Sequence, residues 1–67
     1  MKIEDAIKLA RKHVDTDPNL AVFIVRDYEE LEQFDLHDLA WSMYRNYCTV
    51  REAIWLLDEI EKSLAEP

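Results

Sequence analysis

Apolar residues recur at helical intervals along most of the chain, beginning with the first fourteen residues. On a wheel of about 100° per residue these apolar positions share one side, and Lys8 and Lys12 lie opposite. The pattern predicts an amphipathic helix from about Ile3 to Val14. Its expected core residues are Ile3, Ala6, Ile7, Ala10 and Val14.

The next apolar segment, residues 20–25, is compatible with either a strand or a helix. It is rich in β-branched residues, which favour strands. A strand needs a partner, however, and no second good strand follows, whereas Asp17 suits a helix N-cap and Pro18 suits the first helical position. We therefore favour a helix from about Pro18 to Gln33. The residues that keep helical spacing in it are Leu20, Ile24, Tyr28 and Leu31.

The second half of the chain predicts two further helices. Asp35 is the expected cap of a third helix from about Leu36 to Tyr47. Thr49 and Glu52 have the spacing of a capping box, which starts a fourth helix that ends near Leu64. The apolar side of helix three comprises Leu36, Leu39, Ala40, Met43 and Tyr47. The seam of helix four comprises Val50, Ala53, Leu57, Ile60 and Leu64, and its spacing predicts that helices three and four pack together.

These segments predict one all-α domain over residues 1–67, a small bundle of three to four short helices. A chain this short buries only about 60% of its unfolded surface, so a partner copy could complete the bundle as a homodimer. The chain contains no glycine at all. This excludes the usual glycine-rich phosphate loops, dinucleotide folds and nucleophile elbows, which need backbone at positive φ or very close to a ligand.

The charge narrows the range of partners. The net charge is −7, with 15 Asp and Glu against 8 Lys and Arg. Such a surface repels phosphate, so we expect neither direct nucleic-acid binding nor binding to anionic membranes. The longest uncharged apolar run, residues 20–25, is too short to cross a membrane. With a single cysteine and no secretory pattern, we expect a cytoplasmic protein.

Candidate catalytic and metal-binding groups lack the spacing that their chemistry requires. His13, His37 and Cys48 form no ligand pair of the usual kind. Asp15-x-Asp17-x-Asn19 resembles the start of a calcium loop, but the later glycine and glutamate of such a loop are absent. No serine, threonine or cysteine lies in a motif that supplies a base or an oxyanion hole. We expect no metal, no cofactor and no enzymatic activity.

The two tryptophans indicate a protein-binding surface. Trp41 falls about 145° from the seam of its helix, near Arg45, and Trp55 falls about 180° from its own seam, between Glu59 and Lys62. Large aromatic residues on charged helix faces are typical interface anchors. The leading hypothesis is therefore a non-enzymatic, acidic interaction module that binds a protein partner through these five residues. The alternative is that helix one or two covers at least one tryptophan.

A second hypothesis of another class starts from the acidic residues. They cluster between the second and third helices, which would suit an inhibitor that occupies the basic site of a nucleic-acid-acting protein. The acidic face comprises Asp27, Glu29, Glu30, Glu32 and Asp35.

About half of the chain resembles a known family. A Val-x-x-Ala-Ile-x-x-Leu pattern at residues 50–57 follows an aromatic loop residue, Phe34, by 16 positions. In this respect Tyr28 to Ile60 is similar to a ubiquitin-associated (UBA/CUE-like) three-helix module, although the loop glycines of that family are replaced. The resemblance implies a three-helix packing and ubiquitin binding. The matching positions would be Gln33, Phe34, Leu56 and Leu57.

Overall fold

Five helices lie within residues 1–66, which confirms the predicted all-α class. The computed structural model describes residues 1–66, and no strand occurs within them. Pro67, the last residue of the predicted domain, lies outside this range. The helices are α1 (Ile3–His13), α2 (Pro18–Val25), α3 (Glu29–Gln33), α4 (His37–Arg45) and α5 (Val50–Ala65).

Helix α2 lies at the centre of the molecule. It packs against α1, α4 and α5, and α1 also packs against α5. Asp17 caps it as predicted, because its carboxylate accepts a hydrogen bond from the backbone N–H of Leu20 at 3.1 Å. Three α2 residues are buried, Ala21, Val22 and Val25, and α2 contains no charged residue. The helical interpretation of residues 20–25 is therefore correct.

The predicted face of α1 is buried, and its opposite side is charged. All five expected core residues of this segment are buried. Arg11 joins α1 to α5 at the surface by hydrogen bonds to Asp58, at 2.7 Å, and to Glu61. The hydrogen bond to Asp58 is the main reason why the pKa of Arg11 is raised. This exposed ion pair is worth about 1 kcal/mol at most, so burial of the apolar face is what holds α1 in place.

The predicted continuous helix from Pro18 to Gln33 is wrong. Tyr28 has extended backbone and separates α2 from α3. In an unbroken helix, Glu32 would lie on the buried face and Leu31 about 130° away from it. Because the helix breaks at Tyr28, Leu31 is instead fully buried and Glu32 is exposed. The Tyr28 hydroxyl also donates a hydrogen bond to the carbonyl of Met1 at 3.1 Å, which ties the break to the N-terminus.

Asp35 ends α3 and does not cap α4, which corrects a second prediction. Its φ is 62°, in the left-handed region. The backbone N–H of Asp35 bonds to the carbonyl of Glu32, and that of Leu36 to the carbonyl of Leu31 at 2.7 Å. This is the Schellman pattern, in which a left-handed residue lets the chain satisfy the last carbonyls of a helix. Leu36 is the N-cap of α4 and makes no side-chain capping bond.

The predicted pairing of the third and fourth helices is also wrong. Helix α4 packs principally against α2, not against α5. Only Ala40 and Met43 of its expected apolar side are buried, whereas Leu39 and Tyr47 are exposed. The wheel identified the buried centre of the helix, but it could not specify which neighbour covers that centre.

Helix α5 begins with the predicted capping box. The Thr49 hydroxyl accepts from the Glu52 backbone N–H at 3.1 Å, and the Glu52 carboxylate accepts from the Thr49 backbone N–H at 2.9 Å. The predicted seam residues Ala53, Leu57 and Ile60 are buried, together with Leu56. The capping box therefore satisfies the N-terminus of the longest helix in the described chain.

We expect Thr49→Ala to destabilise the protein by about 1 kcal/mol, because a backbone donor at the start of α5 loses its acceptor. For a domain of this size that corresponds to a fall in melting temperature of roughly 4–8 °C. Thermal unfolding followed by circular dichroism measures it. Thr49→Ser keeps the hydroxyl and should stay close to wild type. Equal losses in both variants would show that the methyl group, not the hydrogen bond, matters.

Glu52 should make part of the stability dependent on pH. The pKa of Glu52 is lowered, first because the Thr49 backbone N–H bonds to its carboxylate and then through the Thr49 side chain. A lowered folded-state pKa gives stability that is present above the unfolded pKa, about 4.5, and lost as the pH falls through the folded value. The melting-temperature difference between wild type and Glu52→Gln should therefore be clear at about pH 7 and shrink by about pH 3. A difference independent of pH would contradict this assignment.

Candidate partner-binding surface

Arg26 lies at the C-terminal end of α2 inside a cluster of three aromatic rings. The guanidinium carbon is 4.4 Å from the ring centroid of Phe23, 4.1 Å from that of Trp41 and 4.3 Å from that of Tyr44. Phe23 and Arg26 are three residues apart on α2, and Trp41 and Tyr44 are three apart on α4, so each pair projects from one helix face. The cluster thus joins α2 to α4.

The charge of Arg26 is stabilised by aromatic faces and not by hydrogen bonds. Its side chain is only 13% exposed. Within residues 1–66 no acceptor lies within hydrogen-bond distance of the guanidinium, and Nε is buried without a partner. The nearest carboxylate oxygen belongs to Asp27, 3.9 Å from Nε. Cation–π attraction and the negative end of the α2 dipole are the interactions that favour a cation here.

An open groove of about 410 Å³ lies next to this cluster. Phe23 and Tyr44 form one wall, with ring centroids 5.7 Å apart, and both rings also contact Arg26. Leu20, Phe23 and Tyr47 are exposed, so apolar surface faces solvent along the groove. We call this surface the α2–α4 face and define it as Leu20, Phe23, Arg26, Tyr44 and Tyr47.

Tyr47 holds an unusual backbone conformation for an aromatic residue. Its φ is 54° and its side chain is 82% exposed. A left-handed residue other than glycine costs roughly 1–2 kcal/mol. The packing of so exposed a side chain offsets little of this cost. Tyr47 follows the C-cap of α4, so its left-handed backbone ends that helix as Asp35 ends α3, and it leaves a large aromatic ring in solvent at the edge of the groove.

Trp41 is not the outward side chain that the sequence predicted. Arg26, the C-cap residue of α2, covers its ring, and its indole Nε1 is buried without an acceptor in the described chain. The ring of His37 lies 6.2 Å from that of Trp41. Of the two alternatives for this tryptophan, coverage by another helix is what the structure shows. The wheel describes one helix alone and cannot show a neighbour's side chain.

Trp55 and the other expected contact residues lie elsewhere. Trp55 is 47% exposed on α5, and it has no aromatic or cation–π contact within residues 1–66. Lys62 is exposed and Glu59 partly buried on the same helix, while Arg45 is exposed at the end of α4. Trp41 and Arg45 therefore lie on α4, whereas Trp55, Glu59 and Lys62 lie on α5.

The acidic face falls on α3 and its flanking turns. Asp27, Glu29, Glu32 and Asp35 are exposed, and Glu30 is partly buried. Three of these residues, Asp27, Glu29 and Glu30, join Glu4 in lining an open cleft of about 560 Å³ beside the N-terminus. Among the described ion pairs, only Asp27 of the acidic face has a basic neighbour.

Cys48 has the environment of an inert thiol. It is buried, and its Sγ donates to the carbonyl of Pro18 at 3.7 Å. Burial is the main reason why its pKa is raised, and the negative charges of Glu52 and Asp17 add to the effect. A raised pKa disfavours the nucleophilic thiolate.

The remaining chemistry is limited in the part of the chain that the structure describes. No group of three or more His, Cys, Asp or Glu side chains is arranged to hold a metal ion there. None of the helices in residues 1–66 is long and apolar enough to cross a membrane. Of the positions suggested by the UBA/CUE-like resemblance, Leu56 and Leu57 are buried, Phe34 is partly buried and Gln33 is exposed.

Sequence reasoning did not find the α2–α4 face, although part of its pattern is visible. Phe23 and Arg26, and likewise Trp41 and Tyr44, have the three-residue spacing that places side chains on one helix face. The missing information was that α4 packs on α2. The strained conformation of Tyr47 has no sequence marker, because the residue that usually announces it, glycine, is absent.

Comparisons of the chain with protein-family models, with curated proteins and with solved structures found no match.

Proposed function

We propose that this protein is a non-enzymatic interaction module that binds a protein partner through its α2–α4 face. The observation that carries the proposal is Tyr47, a solvent-exposed aromatic residue held in a strained conformation beside an apolar groove. Backbone strain concentrates at functional sites, where the surrounding structure maintains it. Removing this strain would stabilise the monomer, so its presence favours a role in contact with another molecule.

The composition of the face supports this proposal. Tyr, Trp and Arg are the residue types that most often carry binding energy at interfaces, and pockets lined by them are typical anchor sites. Here Phe23, Arg26 and Tyr44 are already packed against one another. Binding would therefore lose little side-chain entropy. Trp41 serves in this arrangement as a support beneath Arg26.

Trp55 is retained as a second, separate contact in the proposal. It is half exposed on α5, with Glu59 and Lys62 on the same helix. In a homodimer, either the α2–α4 face or the Trp55 surface of one copy would contact the same surface of the other copy. The two surfaces predict different effects of mutation, so one set of variants distinguishes them.

We expect Tyr47→Gly to raise stability and abolish association. Glycine removes roughly 1–2 kcal/mol of left-handed strain from the folded state. It also costs about 0.5–1 kcal/mol, because glycine makes the unfolded chain more flexible, so we expect a net stabilisation of about 0.5–1 kcal/mol. Thermal unfolding measures the gain. The matched control is Asp35→Gly, which relaxes the other left-handed position and leaves the groove intact.

Association is measured with immobilised wild type, Tyr47→Gly, Asp35→Gly and Trp55→Ala, using quantitative mass spectrometry of captured proteins and sedimentation velocity of each chain. A partner or dimer retained by Asp35→Gly and Trp55→Ala but lost by Tyr47→Gly supports the α2–α4 face. Loss of association in Trp55→Ala alone would show that the partner binds to α5 and not to the α2–α4 face. Association unchanged in all variants would refute both surfaces.

The alternative function is an acidic inhibitor of a nucleic-acid-acting protein. It is favoured by the exposed carboxylates of α3, most of which have no basic neighbour among the described ion pairs. Unpaired exposed carboxylates produce a field that attracts a basic groove.

The salt dependence of the binding affinity distinguishes the two proposed functions. If the acidic face carries binding, the affinity for the captured partner should fall steeply between low and high salt, and Glu29→Gln with Glu32→Gln should reduce that slope. If the α2–α4 face carries binding, the affinity should change little with salt. Isothermal titration at two salt concentrations measures this, with Glu66→Gln as a control for the change in net charge.

A further inference from the structure

Arg26 presents an incomplete set of interactions. Its planar guanidinium has five N–H donors. Its guanidinium carbon lies 4.1–4.4 Å from the centroids of three aromatic rings, and its Nε is buried without a hydrogen-bond partner in residues 1–66. A buried donor without an acceptor is destabilising, and more so when it is charged. The site therefore supplies aromatic contacts to the cation but no acceptor to its Nε.

The terminal nitrogens of Arg26, and not the buried Nε, are the donors that a ligand can reach. Among the guanidinium nitrogens, only Nε is a fully buried donor without a partner. The terminal nitrogens are absent from that group, and the side chain retains 13% exposure. A molecule that approaches from solvent thus meets the two terminal nitrogens first.

The three rings also restrict the motion of the guanidinium. Because it lies within 4.4 Å of the centroids of Phe23, Trp41 and Tyr44, a ligand that bonds to it would not have to order a mobile arginine. A fixed guanidinium fork matches a carboxylate, which accepts two parallel hydrogen bonds. The apolar groove begins at the same Phe23 and Tyr44 rings.

We propose that Arg26 is a receptor for a carboxylate on a peptide segment of the partner, with an adjacent large apolar side chain of that segment seated in the groove. The proposal rests on the proposed function and specifies the partner's chemistry. A carboxylate is favoured over a phosphate because the chain's net charge is −7 and Asp17 and Asp27 lie at the site's margins. A carboxylate carries a single negative charge, so these acidic groups repel it less than they repel a phosphate. An apolar side chain next to the carboxylate would also be buried against the aromatic rings.

The carboxylate of Asp27 would compete with the carboxylate of a ligand for the charge of Arg26. Its Oδ2 lies 3.9 Å from Nε, too far for a hydrogen bond but close enough to attract the charge. Its removal should therefore strengthen the binding of an external carboxylate. A purely structural role of Arg26 makes no such prediction.

The experiment is an NMR titration of the full chain with N-acetyl-phenylalanine, and in parallel with N-acetyl-phenylalaninamide, which lacks only the carboxylate. The observed signals are the Arg26 Hε and the Trp41 indole N–H, with the Trp55 indole as an internal reference. We expect the acid to shift both cluster signals and to bind about tenfold more tightly than the amide, the factor that corresponds to one charge-assisted hydrogen bond. Inorganic phosphate at equal ionic strength serves as the third probe.

Two variants test the assignment. Arg26→Lys keeps the charge but loses the planar fork, and it should show a smaller preference for the acid over the amide than wild type. Asp27→Asn should bind the acid severalfold more tightly than wild type. Asp27 is exposed, so this variant keeps the test decisive even if Arg26→Lys fails to fold.

Several outcomes would overturn the inference. These are equal binding of acid and amide by wild type, stronger shifts with phosphate, and an unchanged affinity in Asp27→Asn. Shifts of the same signals with protein concentration alone would show that a second copy of the chain occupies the face. Because the probes need no partner, failure here together with Tyr47-dependent capture would reject the carboxylate receptor and leave the interaction module intact.

Discussion

The fold depends on the burial of α2 between three other helices. Its eight residues include no charge, and Ala21, Val22 and Val25 make contact in the core while α1, α4 and α5 surround it. Each remaining helix of two turns or more has a charged side that must face water, so the uncharged α2 is the helix best suited to the centre. Helices α1, α4 and α5 are held together in large part by their common contact with α2.

The way in which α2 ends determines the character of the surface beside it. Continuation of the helix would bury Glu32 and expose Leu31, so the chain must break between Val25 and Glu29. Arg26 is the first residue after the helix, where the helix dipole favours a cation. The same break sends Asp27 and the acidic residues of α3 away from the core. A requirement of core packing thus places a cation beside α4 and leaves the carboxylates of Asp27 and α3 mostly exposed, with the Asp27 carboxylate 3.9 Å from Arg26 Nε.

The sequence predicted those parts of the structure that local chemistry determines. The α1 stripe, the Asp17 cap with Pro18 and the Thr49–Glu52 capping box each depend on residues within one turn of each other. Most of the wrong predictions concern relations between helices. The helical spacing of Leu20, Ile24, Tyr28 and Leu31 continues through the break, so the helical wheel predicts one helix. The structure has two helices, because Leu31 and not Glu32 must be buried. Asp35 has the composition of an N-cap, yet its left-handed backbone closes the preceding helix. The candidate site was missed for the same reason, since Trp41 and Arg26 meet only when α4 packs on α2.

The distribution of local departures from stable design is the strongest argument about function. Elsewhere in the described chain the departures are single: the buried residues are all apolar, the central helix α2 and the longest helix α5 have side-chain caps, and the left-handed Asp35 and the exposed Trp55 lie apart from each other. On the α2–α4 face three rules are broken together, by a strained aromatic residue, by exposed apolar side chains around a groove, and by a cation without a hydrogen-bond acceptor in the described residues. Natural proteins depart from consistent local design mainly at functional sites. A purely structural face would need none of the three, because glycine at position 47, polar groove residues and a paired arginine would each stabilise the monomer. A bound partner would satisfy all three at once, because it would cover the groove, contact the ring of Tyr47 and supply an acceptor to Arg26.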